Sequence, residues 1–288
     1  MIRVVPGTGG GRYPDGNALV VSGSEETVLI DPSLTIAAAP PVGIDRVLIS
    51  HAHEDHLAGV HHYAGVPIHV HAADRLGLTS LDGLMQIYGM APDTEAAWRR
   101  EVVDAFHYTP RPDAAAFEEG DAFDLGGTTV HVVHLPGHTR GHSGFLIEPA
   151  GALFLGDVDL TGFGPYYGDA WSSLDDWERT LARCRTLEAD TYVTFHHKGV
   201  VEGRTAFLSL LDAYEAVIAR REAAMLGFLA EPRTLEEMAA HRFVYRPHVT
   251  LLFVDAVERR SARLHVERMM SRGQVSEVEP GRFAATHP

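Results

Sequence analysis

Val47-Leu48-Ile49-Ser50-His51-Ala52-His53-Glu54-Asp55-His56-Leu57 decides the reading of this chain. An apolar run of β type ends, and three imidazoles and a metal-ligating type of carboxylate follow within six residues. Imidazole nitrogen and carboxylate oxygen are ordinary ligands of divalent transition metals, and so dense a run offers a fold little unless something binds it. On extended backbone His51 and His53 project to one side, because side chains alternate with period two. Asp55 and His56 lie just beyond, where the strand should turn into a loop or helix. One short segment can therefore serve two ions. The helical HExxH pattern, with histidines four apart on one helix face, is a different arrangement.

The same unit recurs further along. Val130-His131-Val132-Val133-His134-Leu135 leads into the glycine-punctuated Pro136-Gly137-His138-Thr139-Arg140-Gly141-His142. Ala152-Leu153-Phe154-Leu155-Gly156-Asp157 is an apolar run ending in a carboxylate, and Thr191-Tyr192-Val193-Thr194-Phe195-His196-His197 is a β-rich run ending in two histidines. Each is a strand with a ligand at its C-terminal end, and several such ends can converge on one sheet edge. Any one of these histidines alone would read as a packing or surface residue; together they read as a metal site.

HAHEDH, PGHTRGHS, the strand-terminal Gly156-Asp157 and the closing His-His pair resemble, in order and spacing, the metallo-β-lactamase-fold hydrolases, including their glyoxalase II-like branch. The resemblance covers roughly residues 1 to 230. It implies an α/β fold of αββα type, two mixed sheets face to face with helices outside. It also implies a ligand set: His51, His53 and His138 for one metal, Asp55, His56 and His197 for the other, with Asp157 bridging. His196 stays open as the alternative to His197 and is otherwise expected beside the ligands. Asp31 is expected to orient a ligand, as carboxylates behind a metal site commonly do, and His142 to serve a supporting role. His61, His62, His69 and His71 match no ligand position and are expected to be structural.

Two divalent ions, most naturally Zn²⁺ with Fe or Mn tolerated, can share a hydroxide and polarise a carbonyl or phosphoryl oxygen. No Ser or Cys nucleophile is then required. Asp55 is the expected catalytic group, positioning the nucleophile and passing a proton to the leaving group. His53 stands where the electron-transferring diiron branch carries Glu, which disfavours a redox role. The complete second ligand set likewise disfavours a mononuclear iron oxygenase of the persulfide dioxygenase type. The favoured function is hydrolysis of a small ester-like compound, a thioester, lactone or related acyl substrate.

The 288 residues are 45% hydrophobic and 22% charged, with a formal net charge of −15. That charge disfavours general attraction to nucleic acid or to an anionic membrane. No stretch approaches the ~18 consecutive apolar residues of a membrane span, no signal peptide is recognisable, and the single Cys184 cannot form an internal disulfide; the expectation is a cytoplasmic protein. Gly7-Thr8-Gly9-Gly10-Gly11 lacks the Lys-Ser/Thr of a phosphate loop and reads as a turn.

Three further regions bear on substrate. Trp98, Val102, Val103 and Phe106 stand near helical spacing, predicting an amphipathic helix that packs on the sandwich or covers the cleft. The aromatic, glycine-rich segment from Leu160 to Trp171 places Tyr166 and Tyr167 as candidate substrate contacts. A long helix is predicted from Thr205 to Ala230, with Phe207, Leu211, Tyr214 and Ile218 on one stripe. Beyond it, residues 231–288 predict a helix opened by the capping box Thr234-Leu235-Glu236-Glu237, a second helix to about Arg272, and a hairpin around Pro280-Gly281. This resembles the winged-helix-like C-terminal domain of a branch of the superfamily, some of whose members cut single-stranded RNA. The chain then divides into a catalytic domain, 1–230, and a winged-helix-like domain, 231–288. A single-strand nuclease is the alternative function. Residues 234–288 hold eight Arg against seven Asp and Glu, however, and Glu258 and Glu267 interrupt the face carrying Arg259, Arg263, Arg268 and Arg272. A nucleic-acid binder usually shows a clearer basic stripe, so a small molecule is the expected partner. A homodimer is compatible with the sequence.

Overall fold

A computed structural model describes residues 1–286. Six strands form the first sheet in chain order: β1 (Ile2–Val5), β2 (Ala18–Ser22), β3 (Thr27–Ile30), β4 (Arg46–Ile49), β5 (Ile68–His71) and β6 (Ala115–Phe117). The pairs β1–β2 and β2–β3 are antiparallel, and those from β3 to β6 are parallel. The second sheet comprises β7 (Ala122–Asp124), β8 (Thr129–His134), β9 (Ser143–Glu148), β10 (Ala152–Phe154), β11 (Thr191–Val193) and β12 (Val200–Glu202). Here only β10–β11 is parallel.

Period-two alternation sorts the strand residues into layers. From β2, Leu19 and Val21 join Leu48 of β4 and Phe145 and Phe154 of the second sheet in the layer between the sheets. Their neighbours Ala18, Val20, Val47 and Ile49 face outward and pack against Leu84, Trp98 and Val102 of the helices covering the first sheet. Leu153 and Tyr192 face the opposite exterior and meet Trp177, Leu181, Phe207 and Tyr214. Both faces of each sheet are thus covered, which explains the nearly continuous apolar runs. Burying each such Val, Leu or Phe contributes roughly 1.5–3 kcal/mol, so a one-residue register slip would forfeit a whole layer. The αββα sandwich is the fold expected.

The helices Leu174–Cys184 and Arg204–Phe228 lie against the second sheet. Cys184 is fully buried, and burial pushes its thiol up to about 12. The helix Pro92–Asp104 packs Trp98 and Val102 on the first sheet, whereas Val103, predicted on the same stripe, is 43% exposed. Thr234 and Glu237 close the predicted capping box of the helix Leu235–His241. The helix Val254–Ser271 follows, and then β13 (Val275–Glu279) and β14 (Arg282–Ala285), paired antiparallel. This C-terminal unit does not stand apart: Phe253 and Val257 belong to the outer core of the first sheet, and Met225 of the long helix packs with Met238, Val266 and Met269. Among the described residues no helix is long and apolar enough to cross a membrane.

Candidate metal centre

Strand directions bring the ligand-type residues together. β8 and β10 are both antiparallel to β9, and β11 is parallel to β10, so their C-terminal ends lie at one edge of the second sheet. The Ser143 N–H donates to Ser50 O at 2.9 Å, tying that edge to the end of β4. After β4 the chain bends at Ser50 and His51, the His53 N–H reaching back to His51 O, and His53, itself extended, is the residue from which the short helix Glu54–Leu57 carrying Asp55 and His56 starts.

Two groups of buried side chains result: His51, His53, His138 and Asp157; and Asp55, His56 and His196. In each group the candidate ligand atoms lie within 4.8 Å of one another. His51 Nε2 is 3.0 Å from His53 Nδ1 and 3.1 Å from His138 Nε2, while His196 Nε2 is 3.0 Å from Asp55 Oδ2. Asp157 spans the two groups, with Oδ2 3.1 Å from His138 Nε2 and Oδ1 3.0 Å from His56 Nε2.

Each imidazole has its other nitrogen fixed by the chain. His56 Nδ1–H donates to Asp31 Oδ2 at 2.8 Å, and the same carboxylate accepts the Ser50 N–H and hydroxyl at 2.7 and 2.6 Å. The Ser50 hydroxyl in turn accepts from His51 Nδ1–H at 3.1 Å. His138 Nδ1–H donates to Tyr166 O, and His196 Nδ1–H to Gly11 O at 2.9 Å. His53 is reversed: its Nε2 is 3.0 Å from Asp169 Oδ2, so Nδ1 faces the centre. Holding one nitrogen in this way fixes ring orientation and tautomer for a ligand. His56 Nε2 and Asp157 Oδ1, though 3.0 Å apart, are not aligned to hydrogen-bond each other and are buried with no other partner, a cost ordinarily avoided in a protein interior. These converging, unsatisfied nitrogen and oxygen atoms fit a pair of divalent cations.

Electrostatics agree. Burial opposes ionisation of Asp157, yet His56, His196, His51 and His138 around it hold its carboxyl well below the usual range. His142 is neutral, driven down to about 3 by burial and by His138. Its Nδ1–H donates to Leu135 O, and its Nε2 accepts the Asp157 N–H at 3.0 Å, fixing the backbone of the bridging residue. Gly156 sits at φ +53, and a Cβ there would lie 2.6 Å from His142 Nε2, so only glycine allows this approach.

Two expectations are corrected. His196, rather than His197, enters the second group: Phe195 is anchored by its N–H to Gly156 O, residue 196 then faces the centre, and at His197 the backbone turns left-handed, φ +57, leaving that ring exposed. Tyr167 is 1% exposed, with its hydroxyl against His265 Nε2 at 2.9 Å and its ring beside Arg221, so it is a core residue. Tyr166 does line the cleft, but its hydroxyl donates to Asp169 Oδ1. His61, His62, His69 and His71 join neither group: His61 and His62 lie within hydrogen-bonding distance of carbonyls, His69 is 2.8 Å from Arg46, and His71 stacks on His134.

Three carboxylates were not singled out in the sequence. Asp169 orients His53. Asp74 accepts from the Ala52 N–H, the Gly141 N–H and the Thr139 hydroxyl, binding the His51–His53 segment to the His138 loop. Glu54, inside the motif itself, accepts the hydroxyls of Tyr13 and Tyr88.

A two-sheet sandwich with paired histidine and aspartate groups at one edge is an architecture suited to holding metal. Residues 12–197 match the metallo-beta-lactamase superfamily, and the chain belongs to it. An uncharacterized protein of Mycobacterium tuberculosis is 36% identical over 120 residues, 39% of this chain and 50% of that protein. An atrochrysone carboxyl ACP thioesterase of Aspergillus fumigatus is 25% identical over 200 residues, 66% of this chain and 52% of the relative. A hydroxyacylglutathione hydrolase of Fuscovulum blasticum is 27% identical over 243 residues, covering 78% and 80%. The chain thus spans about half the length of the first two relatives. Among solved structures, a metallo-beta-lactamase family protein of Thermus thermophilus superposes with a TM-score of 0.73 at 22% identity, covering 99% of this chain and 98% of that one.

Proposed function

We propose that the protein is a dinuclear metal-dependent hydrolase of small ester-like substrates, thioesters, lactones or related acyl compounds. The observation that carries this reading is the position of Asp157, with one carboxylate oxygen beside each group of candidate ligands. His51, His53 and His138 would hold one ion, and Asp55, His56 and His196 the other, with Asp157 shared. Nitrogen and carboxylate donors suit Zn²⁺, and iron or manganese fit the same set. When bound, the pair supplies water activation at neutral pH and polarisation of the scissile carbonyl. Asp55 faces His196 across the cleft floor and is the group placed to orient the attacking water and carry its proton to the leaving group. Asp31, Ser50, Asp169, Gly11 and Tyr166 hold the imidazoles in place.

Phosphodiester cleavage finds less support. Arg259 is paired with Glu236, Arg268 with Glu222 and Glu178, and Arg272 with Glu222, so much of the basic side of the helix Val254–Ser271 is neutralised within the chain. The helix pair and hairpin, which we read as winged-helix-like, serve substrate shaping in this reading. A mononuclear oxygenase would leave the complete second group without a purpose.

The test is elemental analysis of protein purified without added metal, with hydrolysis assays on a thioester, a lactone and single-stranded RNA. About two metals per chain with ester turnover is the expected result. One iron per chain with oxygen uptake, or RNA cleavage without ester turnover, would overturn the chemistry.

A further inference from the structure

The cleft above the metal centre has an empty volume of about 780 Å³, counting its open mouth. Seven of its eighteen lining residues are Tyr, Trp or Phe, and among the described residues none that lines it is Lys or Arg. Six of these seven form one connected wall, with Tyr166 beside His53 and His138 instead. Phe253 is its hub, with ring centroids 5.5 Å from Trp98, 5.8 Å from Tyr13 and 6.2 Å from Tyr245. Tyr245 continues to Phe163 at 5.3 Å, and Trp98 to Tyr88 at 5.7 Å. Edge-on aromatic pairs at such spacings are mutually supporting, so the wall is formed before any ligand arrives.

Part of that wall comes from the C-terminal unit. Tyr245, Leu251 and Phe253 lie in the irregular segment between its two helices. The segment is clamped at its start by Glu258, 1% exposed, whose carboxylate accepts three consecutive backbone N–H groups, those of Phe243, Val244 and Tyr245, at 2.9, 3.1 and 2.6 Å. A buried carboxylate satisfied by charge-assisted bonds of this kind is a firm anchor. Leu251, 44% exposed, stands at the rim.

We propose that this wall is an acyl-binding pocket that selects thioesters or esters with a bulky, uncharged aromatic acyl group, and that the segment from Tyr245 to Phe253 sets that preference. The inference rests on the hydrolase reading above. An apolar face imposes no desolvation penalty on an aryl group, and flat rings can lie against Phe253 and Tyr245. A phosphodiester or a glutathione thioester brings anionic groups past Glu54, Asp159 and Asp169, and no Lys or Arg among the lining residues stands to receive a charge that lies away from the ions.

The test uses the full chain as purified, with its metal content measured. Two N-acetylcysteamine thioesters, 2-naphthoyl and acetyl, and the 2-naphthoyl thioester of glutathione are compared by kcat/KM. Binding of 2-naphthoate and of acetate is followed separately by tryptophan fluorescence. The naphthoyl compound should exceed the acetyl one by about tenfold or more, the scale of hydrophobic pocket discrimination. Naphthoate should bind at lower concentration than acetate, and the glutathione thioester should be the poorer naphthoyl donor. Tyr245→Ala should reduce the naphthoyl-to-acetyl ratio about tenfold with metal content retained. Leu251→Ala, at an exposed position, should lower the ratio in the same direction and covers the case in which Tyr245→Ala fails to fold. Equal turnover and binding of the two acyl groups, or preference for the glutathione thioester, would overturn the proposal. Preferential naphthoate binding that Leu251→Ala weakens, with no thioester turned over, would uphold the pocket and remove the hydrolase reading instead.

Discussion

Asp31 Oδ2 accepts the Nδ1–H of His56 at 2.8 Å, and both side chains are fully buried. Asp31 itself has φ +51, a backbone conformation reached here at the end of β3 while its carboxylate also takes both donors of Ser50. The oxygen that positions His56 is therefore positioned by the end of β4. Asp31→Asn would present an amide N–H₂ or force the imidazole into the other tautomer. Metal affinity at the Asp55–His56–His196 group should fall roughly 10- to 100-fold, with the other group less affected. Competition against a chelator followed by metal analysis measures this; two tightly held ions in the variant would remove Asp31 from its role.

The neighbouring histidines at the end of the second sheet should separate cleanly. His196→Ala is expected to reduce metal content from about two per chain toward one and turnover by roughly 100-fold or more, whereas His197→Ala should keep both ions. If His197→Ala lost an ion and His196→Ala did not, the ligand set would be wrong.

Asp74 makes a stability prediction. Asp74→Ala removes the acceptor of two backbone N–H groups and one hydroxyl in a fully buried position. At about 1–3 kcal/mol for each buried donor left unsatisfied, with partial relaxation, the loss should be roughly 3 kcal/mol in urea unfolding of the metal-free protein. A loss below about 1 kcal/mol would mean that water or a neighbour replaces the carboxylate.

His71 makes a pH prediction away from the metal centre. Burial and the stacked His134 lower its pKa to about 4. The unfolded chain takes up this proton near the ordinary value of about 6.5, while the folded chain refuses it. The unfolded state thus binds more protons between about pH 6.5 and 4, so the contribution of neutral His71 is complete above that window and declines as pH falls through it. His71→Asn keeps an acceptor for the Ala73 N–H and should show a shallower loss of thermal stability across the same window. Identical acid slopes for the two proteins would show that His71 is protonated in the fold.

What could be read from the chain was what local pattern encodes. Apolar runs with ligand-type residues at their ends pointed to the sandwich and its active edge, because strands buried on both faces must be apolar throughout and then stop. The choice between His196 and His197 turned on a left-handed residue after the strand, which no periodicity announces. Tyr166 and Tyr167 are adjacent and chemically alike, and only the docking of the long helix, through Arg221, and of the last helix, through His265, decides which one faces the cleft. Asp74 and Asp169 are single carboxylates in separate loops; their importance arises from groups distant in sequence, Ala52 and His53 among them, that the fold brings beside them. The aromatic wall was unreadable for the same reason, being assembled from segments far apart along the chain.

The anchoring of Tyr245 by Glu258 also bears on how this sequence can diverge. Every side chain of the two candidate metal groups precedes residue 197, whereas Tyr245, Leu251 and Phe253 of the wall come after the long helix Arg204–Phe228. Under the hydrolase proposal, inherited changes confined to that later segment would redirect which molecules are cleaved while leaving the ligand-bearing edge untouched.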